Sequence, residues 1–265
     1  MNENKNKKRI NMKIKIDRKT KIDPESPILI EGLPGIGMVG KISVDHLINQ
    51  FEPEKYAEIS SNLFSPQVII NKDAEIEPRK NHIYYHETEK GKNDLLLLKG
   101  RDQGTTPEAQ HLLSQKVAEE AEKLGTSFIY TLGGLGTKQL QKDPTIYGAV
   151  TDKKLKERFE EHGVKFDRQG PIVGAAGLLL EYGRAKGIDG ICLMGQTHGK
   201  FIDPNAAKNL LKVLEGEIDL EVDYTDLDQK REEMEKAVNK MMSQQSQQTP
   251  EQPTDQPETP TEYIH

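Results

Sequence analysis

The feature that most constrains this chain is a glycine-rich stretch near its start, Gly32-Leu-Pro-Gly-Ile-Gly-Met-Val-Gly-Lys41, hereafter the glycine loop. It follows an apolar run at residues 28–30 and precedes a helical pattern, which predicts a loop between a strand and a helix. Proteins that alternate strands and helices often hold phosphates at such a loop, because backbone N–H groups converge where the helix begins. The glycine loop therefore suggests two nucleotide-binding interpretations, a P-loop and a dinucleotide-binding loop.

The P-loop interpretation depends on the residue that follows the lysine. Gly35 and Gly40-Lys41 have the P-loop spacing, but the next residue is Ile42, where a P-loop needs the Ser or Thr hydroxyl that binds magnesium. Ser43 comes one residue late, and one residue on a helix is a rotation of about 100°, so its hydroxyl would point away from the metal. The glycine loop is therefore not expected to carry out P-loop chemistry.

The dinucleotide interpretation rests on the pattern Gly35-x-Gly37-x-x-Gly40 and on Glu58 in the next predicted strand, which could contact a ribose hydroxyl. Glu58 lies inside that strand pattern, whereas a ribose contact belongs at the end of the strand. The favoured alternative is that the glycines permit a tight turn and close packing of a helix on a sheet. A nucleotide- or nucleoside-binding enzyme that uses the glycine loop stays open as the second interpretation.

Composition limits the class of protein. A chain of 265 residues is long enough for one large α/β domain or two small ones, and its net charge of −6 gives no overall preference for nucleic acid. No apolar run approaches the length of a membrane span. The single cysteine, Cys192, lies in an apolar run, which favours a buried small hydrophobe over a nucleophile. We expect a cytoplasmic protein with no nucleic-acid or membrane partner.

The order of predicted elements indicates the fold. Strands are predicted at residues 28–31, 56–60, 67–70, 82–86, 94–98, 127–132 and 188–194, and helices after the glycine loop and at residues 107–124, 152–161, 175–186 and 204–215. Thr105-x-x-Glu108 predicts a capping box for the second helix, and Asp203-Pro204 predicts the start of the last of these. Strands that alternate with helices predict a mainly parallel sheet covered on both faces.

The two ends of the chain differ from the middle. Residues 1–21 are basic and include an alternating run at residues 12–16 that predicts an edge strand, while residues 22–242 form a single α/β domain closed by an acidic C-terminal helix. Residues 243–262 carry no apolar side chain and consist mostly of Gln, Pro, Thr and Glu, so residues 243–265 are predicted to be a disordered tail. That tail ends in Tyr263-Ile264-His265, a group suited to a pocket on another protein.

Candidate catalytic groups are few. His198 follows a predicted buried strand and could form an acid–base pair with Asp203, but a turn histidine beside a helix cap is the favoured interpretation. His82 and His86 share one face of a strand, and no run of residues has the spacing of zinc ligands. We therefore expect no catalytic residue, no metal and no cofactor.

The chain resembles the archaeal proteasome assembly chaperone family over about residues 28–214. The motifs that carry the resemblance are Gly32-Leu-Pro-Gly-Ile-Gly-x-Val-Gly40, Asp102-Gln-Gly104, Gly133-Gly134, Gly174-Ala-Ala-Gly177-Leu-Leu-Leu180, Gly187-Ile-Asp-Gly190-Ile-Cys-Leu-Met-Gly195 and Asp203-Pro-x-Ala-Ala207. The resemblance implies a three-layer α/β/α sandwich, related to nucleoside phosphorylases and hydrolases but without known catalysis. It also implies an ATP-independent homo-oligomer that binds proteasome core-particle α subunits and assists ring assembly.

The resemblance also implies a role for the end of the tail. Some members end in a hydrophobic–Tyr–any tripeptide that enters pockets between neighbouring α subunits, while the terminal carboxylate pairs with a lysine. Here Tyr263 precedes Ile264, and His265 closes the sequence, so the tyrosine lies one place earlier than in that pattern. A second departure is Gln196-Thr-His198, where the family pattern has an acid–Thr–Pro turn. Residues 263–265 are the predicted partner-binding residues.

Overall fold

A computed structural model describes residues 13–89, 92–137, 139 and 141–246. The strands in these ranges are β1 (Ile14–Arg18), β2 (Ile28–Gly32), β3 (Glu54–Ser61), β4 (Val68–Ile70), β5 (Ile76–Pro78), β6 (Asn81–His86), β7 (Leu95–Lys99), β8 (Phe128–Gly136), β9 (Ile146–Val150) and β10 (Asp189–Thr197). The α-helices are α1 (Val39–Phe51), α2 (Pro107–Lys123), α3 (Lys156–Glu160), α4 (Ala175–Arg184), α5 (Pro204–Ile218) and α6 (Thr225–Ser246). Short 3₁₀ turns at Ile36–Met38 and Lys153–Leu155 precede α1 and α3.

Eight of these strands form one mixed sheet, in the order β1-β3-β6-β7-β2-β8-β10-β9. The adjacent strands β7, β2, β8 and β10 are parallel to one another. Strand β3 has the same direction, whereas β1, β6 and β9 run antiparallel to their neighbours. Five of the eight strands thus point the same way, which agrees with the predicted mainly parallel sheet.

The sheet is buried on both faces, which confirms the predicted three-layer α/β/α sandwich. Residues of β2 and β7 are almost all buried, as expected for near-continuous apolar strands in the middle of a parallel sheet. Helices α1 and α5 cover one face, with α6 packed on α5, and α2 and α4 cover the other. No helix in the described part of the chain is both long and apolar enough to cross a membrane.

The structure corrects several details of the predicted elements. The hydroxyl that caps α2 belongs to Thr106, which accepts a hydrogen bond from the Ala109 N–H at 3.2 Å, so the predicted capping box at Thr105 is wrong by one residue. Proline at position 107 explains the shift, because it fits best as the first helical residue. Strands β5 and β9 were not predicted.

The two terminal segments are described only in part. Strand β1 lies at the edge of the sheet with its isoleucines half-buried and its lysines exposed, the arrangement that protects an edge strand from pairing with another chain. Helix α6 continues through Ser246, past the predicted start of the tail at residue 243, because no proline interrupts the helix before residue 250. Residues 1–12 and 247–265 lie outside the described residues.

The glycine loop allows β2, α1 and β8 to approach one another closely. A Cβ atom on Gly32 would overlap the Gly40 carbonyl oxygen, and a Cβ atom on Gly40 would overlap the carbonyl oxygen of Leu132 in β8. Gly37 has a φ of 63°, a left-handed conformation that costs glycine little. These glycines let α1 pack on the sheet, which is the favoured interpretation of the loop.

This packing predicts a large difference between two Gly→Ala substitutions. Gly40→Ala should lower the free energy of unfolding by about 2–3 kcal/mol, because a rigid backbone carbonyl occupies the place of the new methyl group. Gly133→Ala in β8 is the matched control, since its Cβ would have no atom within 4 Å. Urea unfolding of both variants measures the difference, and equal midpoints would show that the close approach contributes nothing.

Candidate functional site

The candidate site is a cleft at the carboxyl edge of the sheet, with a volume of about 660 Å³. Strands β2, β7, β8 and β10 are parallel, so their carboxyl ends meet at this edge, where open α/β sheets usually bind ligands. The cleft is lined by the glycine loop, the loop after β7, the end of β8 and the segment that precedes α4.

Five of the sequence motifs that are far apart in the chain meet in this cleft, and one of them, Gly187 to Gly195, contributes Cys192 and Met194. The lining includes Gly35 from the glycine loop, residues 102–104, Gly133-Gly134 and Gly174. The sequence alone did not place residues 102–104 and Gly174 in this cavity, because that depends on strand order. Their convergence makes the cleft the best candidate for a shared structural or functional role.

Gln103 joins two walls of the cleft. Its side-chain NH2 donates a hydrogen bond to the Pro34 carbonyl, and its side-chain oxygen accepts one from the Ala175 N–H at 3.0 Å, at the start of α4. Gly174 has a φ of 93°, and a Cβ atom there would overlap the Gln103 side-chain oxygen. Gln103 therefore fixes the glycine loop relative to α4.

Asp102 fixes a second junction. Its Oδ2 accepts a hydrogen bond from the Ser65 N–H at 2.8 Å, and its Oδ1 accepts one from the Gly104 N–H at 2.8 Å. The Arg79 guanidinium lies 3.4 Å from the same carboxylate. Asn81 donates to the Asp102 carbonyl at 2.7 Å. The polar groups of the Asp102-Gln-Gly104 motif are thus used in holding the loops together.

Glu31 is the buried carboxyl group of the cleft. It is 2% exposed, and its Oε1 accepts a hydrogen bond from the Leu33 N–H at 2.8 Å. Its Oε2 is buried and has no hydrogen-bond partner among the described residues. Burial raises the pKa of this carboxyl to about 8, although the Leu33 hydrogen bond opposes the shift. At neutral pH Glu31 is therefore mostly a neutral carboxylic acid.

The groups that a nucleotide site would need are not assembled around the glycine loop. Lys41 forms an ion pair with Asp45, one turn along α1. Glu58 lies on β3, which is separated from β2 by β6 and β7, and it pairs with Lys80 at 2.7 Å. A residue on β3 cannot reach a ribose held at the end of β2, so the dinucleotide fingerprint lacks its acidic partner.

The histidines highlighted by the sequence do not form a catalytic set in the described structure. Asp203 caps α5 by accepting a hydrogen bond from the Ala206 N–H at 3.0 Å, and the His198 ring packs against Phe201. Burial lowers the pKa of His82 to about 4. No group of three or more potential metal ligands occurs among the described residues.

Two further predicted features have different outcomes. Cys192 is fully buried, as predicted, and burial raises the pKa of its thiol to about 12. The predicted partner-binding residues Tyr263, Ile264 and His265 lie outside the described residues.

Comparison with known proteins assigns the family. The model of the PAC2 family matches residues 29–242. The chain belongs to the PAC2 family. A relative, the uncharacterized protein MJ1210 of Methanocaldococcus jannaschii, is 38% identical over 229 residues, which cover 85% of this chain and 88% of the relative.

Solved structures agree with this assignment. The crystal structure of Pyrococcus furiosus PbaB, an archaeal proteasome activator, aligns with a TM-score of 0.82 and 35% identity over 86% of this chain and 98% of PbaB. That of Pyrococcus furiosus PbaA, an archaeal homolog of proteasome-assembly chaperone, aligns with a TM-score of 0.73 over 88% of this chain and 93% of PbaA. PbaA is 24% identical, so it supports the fold alone. The predicted family resemblance is confirmed.

Two residues of the cleft were not recognised individually from the sequence. Gln103 was noted only as part of a motif, because the two backbone groups that it joins are far away in the chain. Glu31 was included in a predicted strand without comment, although an acid at the end of an apolar run is a visible signal.

The raised pKa of Glu31 predicts a pH-dependent stability. Between pH 4.5, the ordinary pKa of a glutamate, and about 8, the folded chain keeps a proton that the unfolded chain releases. The free energy of unfolding should therefore fall as the pH rises through this window, and Glu31→Gln should remove that fall. At pH 8.5 we expect the variant to be more stable than the parent by roughly 4 kcal/mol, with little difference at pH 4.5.

Glu58→Gln is the matched control, and its effect on the pH dependence of stability should have the opposite sign. The hydrogen bond from Lys80 lowers the pKa of Glu58 to about 2, so Glu58→Gln should be less stable than the parent at neutral pH. That deficit should shrink as the pH falls below 4.5. Urea unfolding at several pH values measures both differences, and a Glu31→Gln variant that parallels the parent at every pH would contradict a neutral Glu31.

Proposed function

We propose that this protein is an ATP-independent, non-catalytic scaffold that binds the α subunits of the proteasome core particle and assists assembly of the α ring. The observation that carries the proteasome role is the 35% identity to PbaB over 86% of the chain, with a TM-score of 0.82. Membership in the PAC2 family and the fold shared with the assembly-chaperone homolog PbaA add support. We place this activity in the cytoplasm, where a lone thiol such as Cys192 stays reduced.

The proposed contact with the α ring uses the end of the tail. Tyr263 and Ile264, followed by His265, offer an aromatic ring and an aliphatic group, which suit an apolar pocket on a partner. Residues 247–262 separate these groups from α6, and a random coil of sixteen residues spans roughly 20–25 Å. Such a tether would let the tripeptide search for a pocket while the folded domain stays outside.

We also propose that the chain forms a homo-oligomer, which would present several tails to one ring. Support comes from the hairpin of β4 and β5, where Val68, Ile70 and Ile76 share one face and are 58%, 73% and 73% exposed. A two-stranded hairpin is marginally stable by itself, and an apolar face of this kind favours burial against another protein. Linked tails raise the effective concentration of each tripeptide, so weak single contacts sum to a stable complex.

The geometry of the glycine loop supports a packing role over nucleotide chemistry. Lys41 is paired with Asp45, and Gly32 and Gly40 are used in close packing. The Asp102-Gln-Gly104 motif is likewise used in joining loops. These motifs therefore have structural roles that a scaffold protein needs.

A second candidate function is activation of the assembled proteasome. PbaB, which shares the higher identity with this chain, is an archaeal proteasome activator. Both functions, as proposed, use the α ring as partner. They differ in whether the protein acts on separate subunits or on the assembled proteasome. An assembly chaperone increases the yield of core particles from separate α and β subunits, whereas an activator increases substrate hydrolysis by particles that are already assembled.

The test of the proposal is binding of the full chain to immobilised proteasome α subunits from the same organism. We expect saturable binding, and deletion of residues 261–265 should weaken it by at least about tenfold, because the avidity of several tails is lost. Sedimentation should give the same number of subunits for both proteins, with the mass of the full protein at a multiple of the 29.9 kDa chain. The matched control replaces residues 247–260 with a Gly-Ser linker of equal length and should retain binding.

Three outcomes separate the parts of the proposal. No binding by the full chain would refute the proteasome role. Undiminished binding after the deletion would refute the role of the tail but leave the folded domain as the binding surface. The assays of core-particle yield and of peptide hydrolysis then distinguish assembly from activation.

A further inference from the structure

The cleft contains a polar group that its own framework does not need. The Leu33 N–H requires one acceptor, which Glu31 supplies through Oε1, while Oε2 has no hydrogen-bond partner among the described residues. A buried polar atom without a partner costs about 1–3 kcal/mol, and a glutamine would satisfy Leu33 equally well. The carboxyl group at this position therefore suggests a role other than stability.

The position of Glu31 connects it to the cavity. It precedes the last residue of β2 and lies opposite Leu98 in β7 and Thr131 in β8, in the middle of the sheet. Glu31 and Cys192 are both among the lining residues of the cleft. The carboxyl thus lies at the end of β2 and beside the middle of β8, within the lining of the cavity.

The remaining walls of the cleft suit an uncharged, mainly apolar molecule. Their apolar part includes the aliphatic side chains Leu33, Ile36, Leu132, Leu135, Ile172 and Val173. The volume of about 660 Å³ falls in the range of small-molecule sites, roughly 300–1,000 Å³. Asp102 pairs with Arg79, and the exposed Arg101 is a further basic residue of the lining.

The protonation state of Glu31 determines which molecules it can bind. Since burial raises its pKa to about 8, the group is a neutral carboxylic acid at pH 7, with an O–H donor beside a carbonyl acceptor. An amide-like edge, with an N–H beside a C=O, complements both. A cation would require Glu31 to ionise in the cavity, and an anion would lose its hydration against the apolar walls.

We propose that this cleft is a small-molecule site for a planar, uncharged ligand with an amide-like edge, and that Glu31 hydrogen-bonds to that edge. The proposal goes beyond the binding of α subunits and does not depend on it.

The test uses three probes of nearly equal shape and different charge, namely benzamide, benzamidine and benzoate. Each is titrated into the full chain at pH 6.5, and amide chemical shifts are followed by NMR. Benzamide should bind in the low millimolar range expected of a fragment, with saturable shifts at Leu33, Gly133 and Gly134. Benzamidine and benzoate should bind at least about tenfold more weakly.

Raising the pH separates the role of Glu31 from general apolar binding. At pH 9.5 the carboxyl is ionised, so the affinity for benzamide should fall and the affinity for benzamidine should rise. Glu31→Leu should lose benzamide binding by about tenfold or more. Glu31→Gln should keep benzamide binding, but that binding should no longer depend on pH. The Glu31→Gln result still tests the proposal if Glu31→Leu fails to fold. Glu58→Gln, on another strand of the same sheet, should behave as the parent does.

Clear results would overturn the proposal. These are equal affinity for all three probes, saturable shifts that lie outside the cleft, and no saturable binding by any of them. Benzamide binding that persists unchanged in Glu31→Leu would equally remove Glu31 from the site.

Discussion

The close approach of β2, α1 and β8 is the constraint on which the rest of the structure depends. Gly40 lies against the Leu132 carbonyl, and Gly32 lies against Gly40, so these backbones are nearer than side chains would allow. This contact places α1 on the sheet and sets the path of the glycine loop. The loop in turn forms one wall of the cleft and presents the Pro34 carbonyl to Gln103. In a phosphate-binding loop the glycines leave room for a ligand, whereas in this protein they leave room for its own backbone.

The polar groups of the cleft are of two kinds. Asp102 and Gln103 hold loops together, and their hydrogen bonds are directed at backbone atoms of the framework. Glu31 differs, because one of its carboxyl oxygens has no partner among the described residues. The same cleft therefore combines motif residues that maintain the fold with one acid that is available for a ligand. The proposed partner-binding residues 263–265 lie outside the described residues.

Much of the fold could be predicted from the sequence, because the central strands are apolar runs and the helices carry clear start signals such as Asp203-Pro204. Strand β9 was missed since Gly148 interrupts its pattern, and the structure shows why a glycine is needed: a Cβ atom there would crowd the Phe166 ring. Strand order was not predictable, because the placement of β2 between β7 and β8 is a tertiary effect. The same limit applies to the cleft, whose motifs were visible separately while their convergence and the raised pKa of Glu31 arise from packing.

The central claim is that the glycine loop is a packing element and not a phosphate site. The most direct measurement is calorimetric titration of the full chain with magnesium pyrophosphate, which presents the phosphate chemistry without a base or ribose. We predict no saturable heat, because Lys41 is paired with Asp45 and no hydroxyl follows it to bind the metal. Saturable binding of magnesium pyrophosphate that is lost in Lys41→Ala would contradict the account.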